Sequence, residues 1–151
     1  MNEQKIKIHP PLYMIGRKIA CWRCETIMPV IALLAPKIED TEDQVGVLTG
    51  IDSLPEDILR YIQNRVPTFK LKYSKMAGKK YYANICPKCG VIYGDFFLHA
   101  EPGAPFFPED QDAAKLLYIQ KIPMDTPIKV SAGLGFGLMD LSFQFLFYNQ
   151  T

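Results

Sequence analysis

Two cysteine pairs carry the clearest chemistry in this chain: Cys21-Trp22-Arg23-Cys24 and Cys86-Pro87-Lys88-Cys89-Gly90. Thiolates at i and i+3 of a tight turn can grip one edge of a metal tetrahedron, and zinc prefers four such ligands. Gly90 supplies the permissive backbone wanted just after such a knuckle, and Pro87 pre-sets the turn. Glu25 stands where the first knuckle would have its glycine, which makes that unit the less ideal one. Residues 25–85 separate the pairs, against about 15–20 residues in compact zinc ribbons. The expectation is one structural Zn2+ per chain, held by Cys21, Cys24, Cys86 and Cys89 in a ribbon-like site split by a long insertion. Two other readings compete: a redox pair, which would want its C-x-x-C at a helix N-terminus, and two separate metal-free thiol pairs.

Little else in the sequence points to catalysis. Four cysteine ligands would close the metal's coordination sphere, whereas catalytic zinc keeps a position open. His9 and His99 are the two histidines, and each reads as an ordinary half-buried or surface residue. His99 with Asp95 is the pair that a small hydrolase or transferase could use. Gly133-Leu134-Gly135-Phe136-Gly137 lacks the G-x-G-x-x-G frame of a phosphate loop and reads as a bend or bulge in a sheet. No G-x-S-x-G elbow and no H-E-x-x-H pair occur. The chain is expected not to be an enzyme.

The elements that must position the knuckles follow from periodicity. Lys5–Ile8 alternates as a short strand, Met28–Ala35 reads as a buried strand, and Val45–Thr49 as a short one. Ser53, with Glu56 three residues on, reads as a capping box opening a helix. Ile58, Leu59, Ile62 and Val66 share its inner face, and Pro67 stops it. Phe69–Tyr73 and Lys80–Ile85 form a hairpin that runs straight into Cys86. A second helix is expected from Glu109–Asp112, with Ala113, Leu116, Leu117 and Gln120 on one face and Pro123 closing it. Ile128–Val130 and Met139–Tyr148 alternate as strands. The predicted class is α+β: a mostly antiparallel sheet with two helices, in one domain spanning residues 1–151.

A chain of 151 residues suits one core. Its one Trp, eight Tyr and nine Phe exclude a wholly disordered chain. The first ten residues, MNEQKIKIHP, lack the apolar stretch of a secretory signal. No apolar run reaches the roughly 20 residues of a membrane helix. Sparse cysteines in C-x-x-C units fit a reducing compartment. The expectation is a cytoplasmic protein with no membrane partner.

Net charge is +1, yet it is unevenly spread. Between Ile58 and Gly94 stand eight basic residues and no acidic one, leaving 9 basic and 16 acidic residues elsewhere. Lys70 and Lys72 fall on one face of the first hairpin strand, while Lys80 and Tyr82 can share a face of the second. These four are the candidate partner-binding residues. Cations beside aromatics can bind phosphates and stack bases. Lysines can equally blunt an exposed strand edge.

From Cys21-Trp22-Arg23-Cys24 and Met28-Pro29-Val30-Ile31-Ala32-Leu33 onward, the chain resembles a group of bacterial zinc-ribbon proteins. The likeness continues through Tyr81-Tyr82-Ala83-Asn84, Cys86-Pro87-Lys88-Cys89-Gly90, Gly94-Asp95-Phe96-Phe97-Leu98 and Pro102-Gly103-Ala104-Pro105-Phe106-Phe107-Pro108. It covers roughly sixty residues, within 15–35 and 70–108. The resemblance implies that both C-x-x-C units belong to one site, and a bacterial origin. It implies no particular activity. The aromatic pairs of the 94–108 block read as core packing or, where exposed, as a partner-binding patch. The leading expectation is a non-catalytic, zinc-stabilised protein-binding module, such as a toxin-neutralising immunity protein. The alternative is a nucleic-acid-binding zinc ribbon acting through residues 58–94.

Overall fold

A computed structural model describes residues 4–41, 45–94 and 117–136. Among these the chain forms β1 (Gln4–Ile8), β2 (Leu12–Ala20), β3 (Ile27–Ala35), β4 (Gly46–Ser53), α1 (Glu56–Arg65), β5 (Phe69–Ser74), β6 (Lys79–Ile85), β7 (Ile92–Tyr93), β8 (Tyr118–Ile122) and β9 (Ile128–Phe136). Six strands make one antiparallel sheet in the order β1-β9-β4-β3-β2-β8, and three make a second in the order β5-β6-β7.

The large sheet is apolar on both faces, which explains the unbroken hydrophobic run of β3. Ile31, Leu33 and Ala35 join Ile58 and Ile62 of α1 in one core. Met28, Val30, Ala32 and Leu34 turn the other way and join Cys21 and Cys86 in a second. A strand buried on both sides reads as continuously apolar, since neither parity has to meet water.

The α+β expectation with two helices is corrected: the described residues are mostly strand, with α1 as their one helix. Residues 109–116 lie outside the described residues, but Tyr118–Ile122 is a strand paired to β2, with Gly16 opposite Tyr118 and Leu12 opposite Ile122. Apolar residues at 116, 117, 119 and 122 fit helical spacing, so periodicity alone misleads here. The β-branched Ile119 and Ile122 suit a strand, and the unpaired edge of β2 supplies the hydrogen-bonding partner that settles it. A Cβ on Gly16 would overlap the Tyr118 ring, so glycine at that site lets the tyrosine lie flat on the sheet.

The capping box is also corrected. Ser53 ends β4, Pro55 is the N-cap of α1, and no side chain caps the helix. The Ile58 N–H instead donates to Asp57 Oδ1 at 3.0 Å. The glycine run lies in β9, apart from Gly137, which falls outside the described residues along with Met139–Tyr148. Gly133 faces Thr49, whose hydroxyl would sit 2.8 Å from an added Cβ. Beyond Thr49 the β4 ladder shifts register, with Gly50 at φ 53°.

On its other side β4 pairs with β3 at Leu34–Val47 and Ala35–Gly46, and beyond these the two strands part. The small sheet docks where they part. Asn84 of β6, 1% exposed, accepts from the Ile31 N–H through Oδ1 at 2.9 Å and donates through Nδ2 to the Ile31 carbonyl at 3.0 Å. Its side-chain amide thus does what a neighbouring strand would do for β3. Pro29, two residues earlier, has no N–H to offer on that same open side. Among the described residues, no helix is long and apolar enough to cross a membrane.

Candidate metal centre

The two cysteine pairs sit at the ends of strands from different sheets. Cys21 follows β2 of the large sheet, and Cys86 follows β6 of the small one. Each pair closes the same turn. In the first, the Cys21 N–H donates to Thr26 O at 2.8 Å and the Glu25 N–H returns to Cys21 O at 3.0 Å. In the second, the Cys86 N–H donates to Val91 O at 2.9 Å and the Gly90 N–H returns to Cys86 O at 3.0 Å. The N–H two residues on, Arg23 or Lys88, points at the leading sulfur at 3.4 Å in both.

The four Sγ atoms all lie within 4.8 Å of one another, so Cys21, Cys24, Cys86 and Cys89 could hold a metal ion. The cross-knuckle contacts are 3.7 Å for Cys21–Cys89 and 3.5 Å for Cys24–Cys86. A tetrahedron with metal–sulfur legs of about 2.3 Å has edges of about 3.8 Å, close to both separations. Cys21 and Cys86 are buried, and Cys24 and Cys89 half-buried. The Trp22 indole N–H donates to Ile92 O at 3.0 Å, and Lys72 Nζ donates to Gly90 O, so each knuckle is tied to the small sheet.

Electrostatics divide the thiols. Hydrogen bonds to the Thr26 side chain and backbone hold Cys24 down to about 6. Cys86 is also lowered, chiefly by the Cys89 backbone N–H. A Val91 backbone hydrogen bond pulls Cys89 down, but burial and the three neighbouring thiols outweigh it and push it up to about 11. The four thiols are thus unequal, with Cys24 and Cys86 inclined to lose their protons and Cys89 inclined to keep its own. A cation entering must expel that proton, as metal binding by thiols generally does.

Glu25 was the departure from the ideal knuckle, yet it adopts φ 65°, matching Gly90 at φ 80°. The turn demands the left-handed backbone, and a residue with a Cβ accepts it at a cost of about 1–2 kcal/mol. Glu25→Gly should therefore stabilise the protein by about 1 kcal/mol, and Gly90→Ala should destabilise it by a similar amount. Urea unfolding of the metal-loaded variants checks both signs.

The other sequence candidates do not gather at this site. His9 Nε2 lies 3.3 Å from Glu39 Oε1 and is not one of the four clustered ligands. Asp95, His99 and the aromatic block from Phe96 to Phe107 fall outside the described residues. The β5–β6 register sets Lys72 opposite Tyr81 and Lys70 opposite Ala83, but Tyr73 opposite Lys80 and Leu71 opposite Tyr82. Lys70 and Lys72 thus occupy one face of the hairpin, and Lys80 and Tyr82 the other. Sequence reasoning missed Thr26, the Trp22 tie and Asn84. Thr26 had a signal, since it stands in the first knuckle where Val91 stands in the second. Compared with known protein families, characterised proteins and solved structures, the chain matches none.

Proposed function

We propose that the chain holds one structural zinc ion and acts as a non-catalytic protein-binding module in the reducing cytoplasm. The observation that carries this reading is the closed cage: four sulfurs from two matching knuckles, within 4.8 Å of one another. Soft thiolates in a tetrahedral set select zinc or iron, and mononuclear zinc needs no further ligand. Held this way, the ion ties two sheets together rather than presenting an open position to a substrate. A cognate binder of the immunity-protein kind is one form such a module takes.

Exposed Trp22, Leu71, Tyr73 and Met76 offer apolar surface to a partner. The nucleic-acid alternative is less well supported, because Lys70 and Lys72 face away from Lys80 and Tyr82, and Lys72 is engaged by Gly90 O. Freshly isolated, unchelated protein should contain close to one equivalent of zinc and negligible iron. It should also leave mixed RNA and DNA unshifted on a gel at physiological salt. Metal content below half an equivalent overturns the zinc reading, and micromolar nucleic-acid binding overturns the protein-binding one.

A further inference from the structure

We infer that the outer edge of β5 takes an extended acidic peptide segment as an added strand, an inference that rests on the protein-binding reading above. The small sheet runs β5-β6-β7, so among the described residues no strand lies outside β5. Its hydrogen-bonding phase can be read from its beginning. The Ile85 N–H donates to Thr68 O at 3.2 Å, which places residues 68, 70, 72 and 74 on the ladder with β6. Phe69 has its backbone turned the other way. Its N–H donates to Val66 O at 3.0 Å, and its carbonyl accepts from Gln63 Nε2 at 3.0 Å. Those two bonds close the edge at its first residue. By the same alternation, Leu71 and Tyr73 direct their N–H and carbonyl groups away from β6.

The side chains on this open stretch are apolar and uncovered. Leu71 is 46% exposed, Tyr73 54%, and Met76 at the hairpin turn 78%. Further along the same face, Phe69 stacks on Tyr82 with ring centroids 6.1 Å apart, and both pack against the main core. The docked end therefore carries an overhanging edge whose outward backbone groups at Leu71 and Tyr73 meet no strand among the described residues. Such an edge is a template for another strand, the basis of peptide recognition by strand addition.

Charge selects the occupant. From Ile58 to Gly94 there is no Asp or Glu, and Lys70 on β5 and Lys75 just beyond it are exposed. Lysines on an edge strand repel another basic strand, but they attract one whose alternate residues are carboxylates. The fitting ligand alternates apolar residues, laid beside Leu71 and Tyr73, with acidic ones.

The test uses the metal-loaded full chain and a fluorescein-labelled octapeptide of alternating Glu and Val, read by anisotropy. A block peptide of four Glu and four Val, and a labelled oligo-dT, serve as probes of charge alone. Leu71→Pro removes the outward N–H while sparing the β5–β6 ladder, since proline is tolerated at an edge position. It should weaken the alternating peptide about tenfold, the worth of one lost hydrogen bond with its desolvated partner. Leu71→Ala keeps the N–H and should cost only a few-fold. An unchanged zinc content and melting profile identify the proline variant as folded. If that variant does not fold, Tyr73→Pro, which removes the next outward N–H, takes its place. Equal binding by the folded proline variant overturns the inference, as does equal affinity for the block peptide or oligo-dT. Absence of binding at millimolar peptide does so too. A protein partner retained by Leu71→Pro would also refute the β5 edge while leaving the protein-binding reading intact.

Discussion

Cys86→Ser should lower the thermal midpoint by about 10 °C or more, and a strong chelator should lower the parent protein by a similar amount. Cys86 is 2% exposed and receives N–H groups from Lys88 and Cys89 at 3.4 and 3.5 Å. Serine would leave three sulfurs and one harder, shorter-reaching oxygen around the ion. The thiols that meet across the cage are 62 and 68 positions apart in sequence. A cross-link closing a loop of that size removes chain entropy worth about 4 kcal/mol from the unfolded state. The diagnostic result is non-additivity: chelation should cost the serine variant little more, because the link is already broken. Acid should mimic the chelator, since protons compete with metal for the thiolates. The metal's contribution is thus present at neutral pH and lost as pH falls. A parent midpoint that moves less than about 2 °C on chelation contradicts the stapling role.

Asn84→Ala should be nearly as damaging, with no metal chemistry involved. Truncation leaves the Ile31 N–H and carbonyl without partners in the gap between β3 and β4. Each buried orphan costs about 1–3 kcal/mol, so the pair amounts to about 2–6 kcal/mol. Asn84→Asp separates the two bonds. One carboxylate oxygen can still accept from the Ile31 N–H, while the other is pressed against the Ile31 carbonyl. It should therefore destabilise despite its near-identical shape. Urea unfolding of the metal-loaded proteins measures both losses, and a change below about 1 kcal/mol for the alanine variant would show that water replaces the amide.

Much of this was legible locally. C-x-x-C spacing is a ligand geometry, the β5–β6 alternation is a hairpin pattern, and Ile58 and Ile62 mark the inner side of α1. β2 escaped notice because Leu12–Gly16 are buried on both faces and give no alternation. β8 was mistaken because its apolar spacing fits either period and its partner strand lies a hundred residues away. The left-handed Glu25 is imposed by the turn rather than by its own preference. The splitting of the lysines came from register. The turn between Ser74 and Lys79 pairs even positions of β5 with odd positions of β6, and one residue more or less would have reversed it. Asn84 carries no local signal, since its partner is a backbone on another sheet.

Because each knuckle closes a hairpin, β2–β3 for the first and β6–β7 for the second, both belong to the parts of the chain that can assemble first. β5 and β6 are neighbours in sequence, whereas the large sheet must bring Gln4 beside Ala132 before β1 can pair with β9. Local hairpins form in microseconds, and distant pairings wait on the search for loop closure. During refolding, Cys21 with Cys24 and Cys86 with Cys89 would each stand ready as a two-sulfur claw before the two sheets dock. An ion captured early by either claw would shorten the remaining search for the other. The order of mixing, metal before or after dilution from denaturant, therefore becomes a control on folding speed.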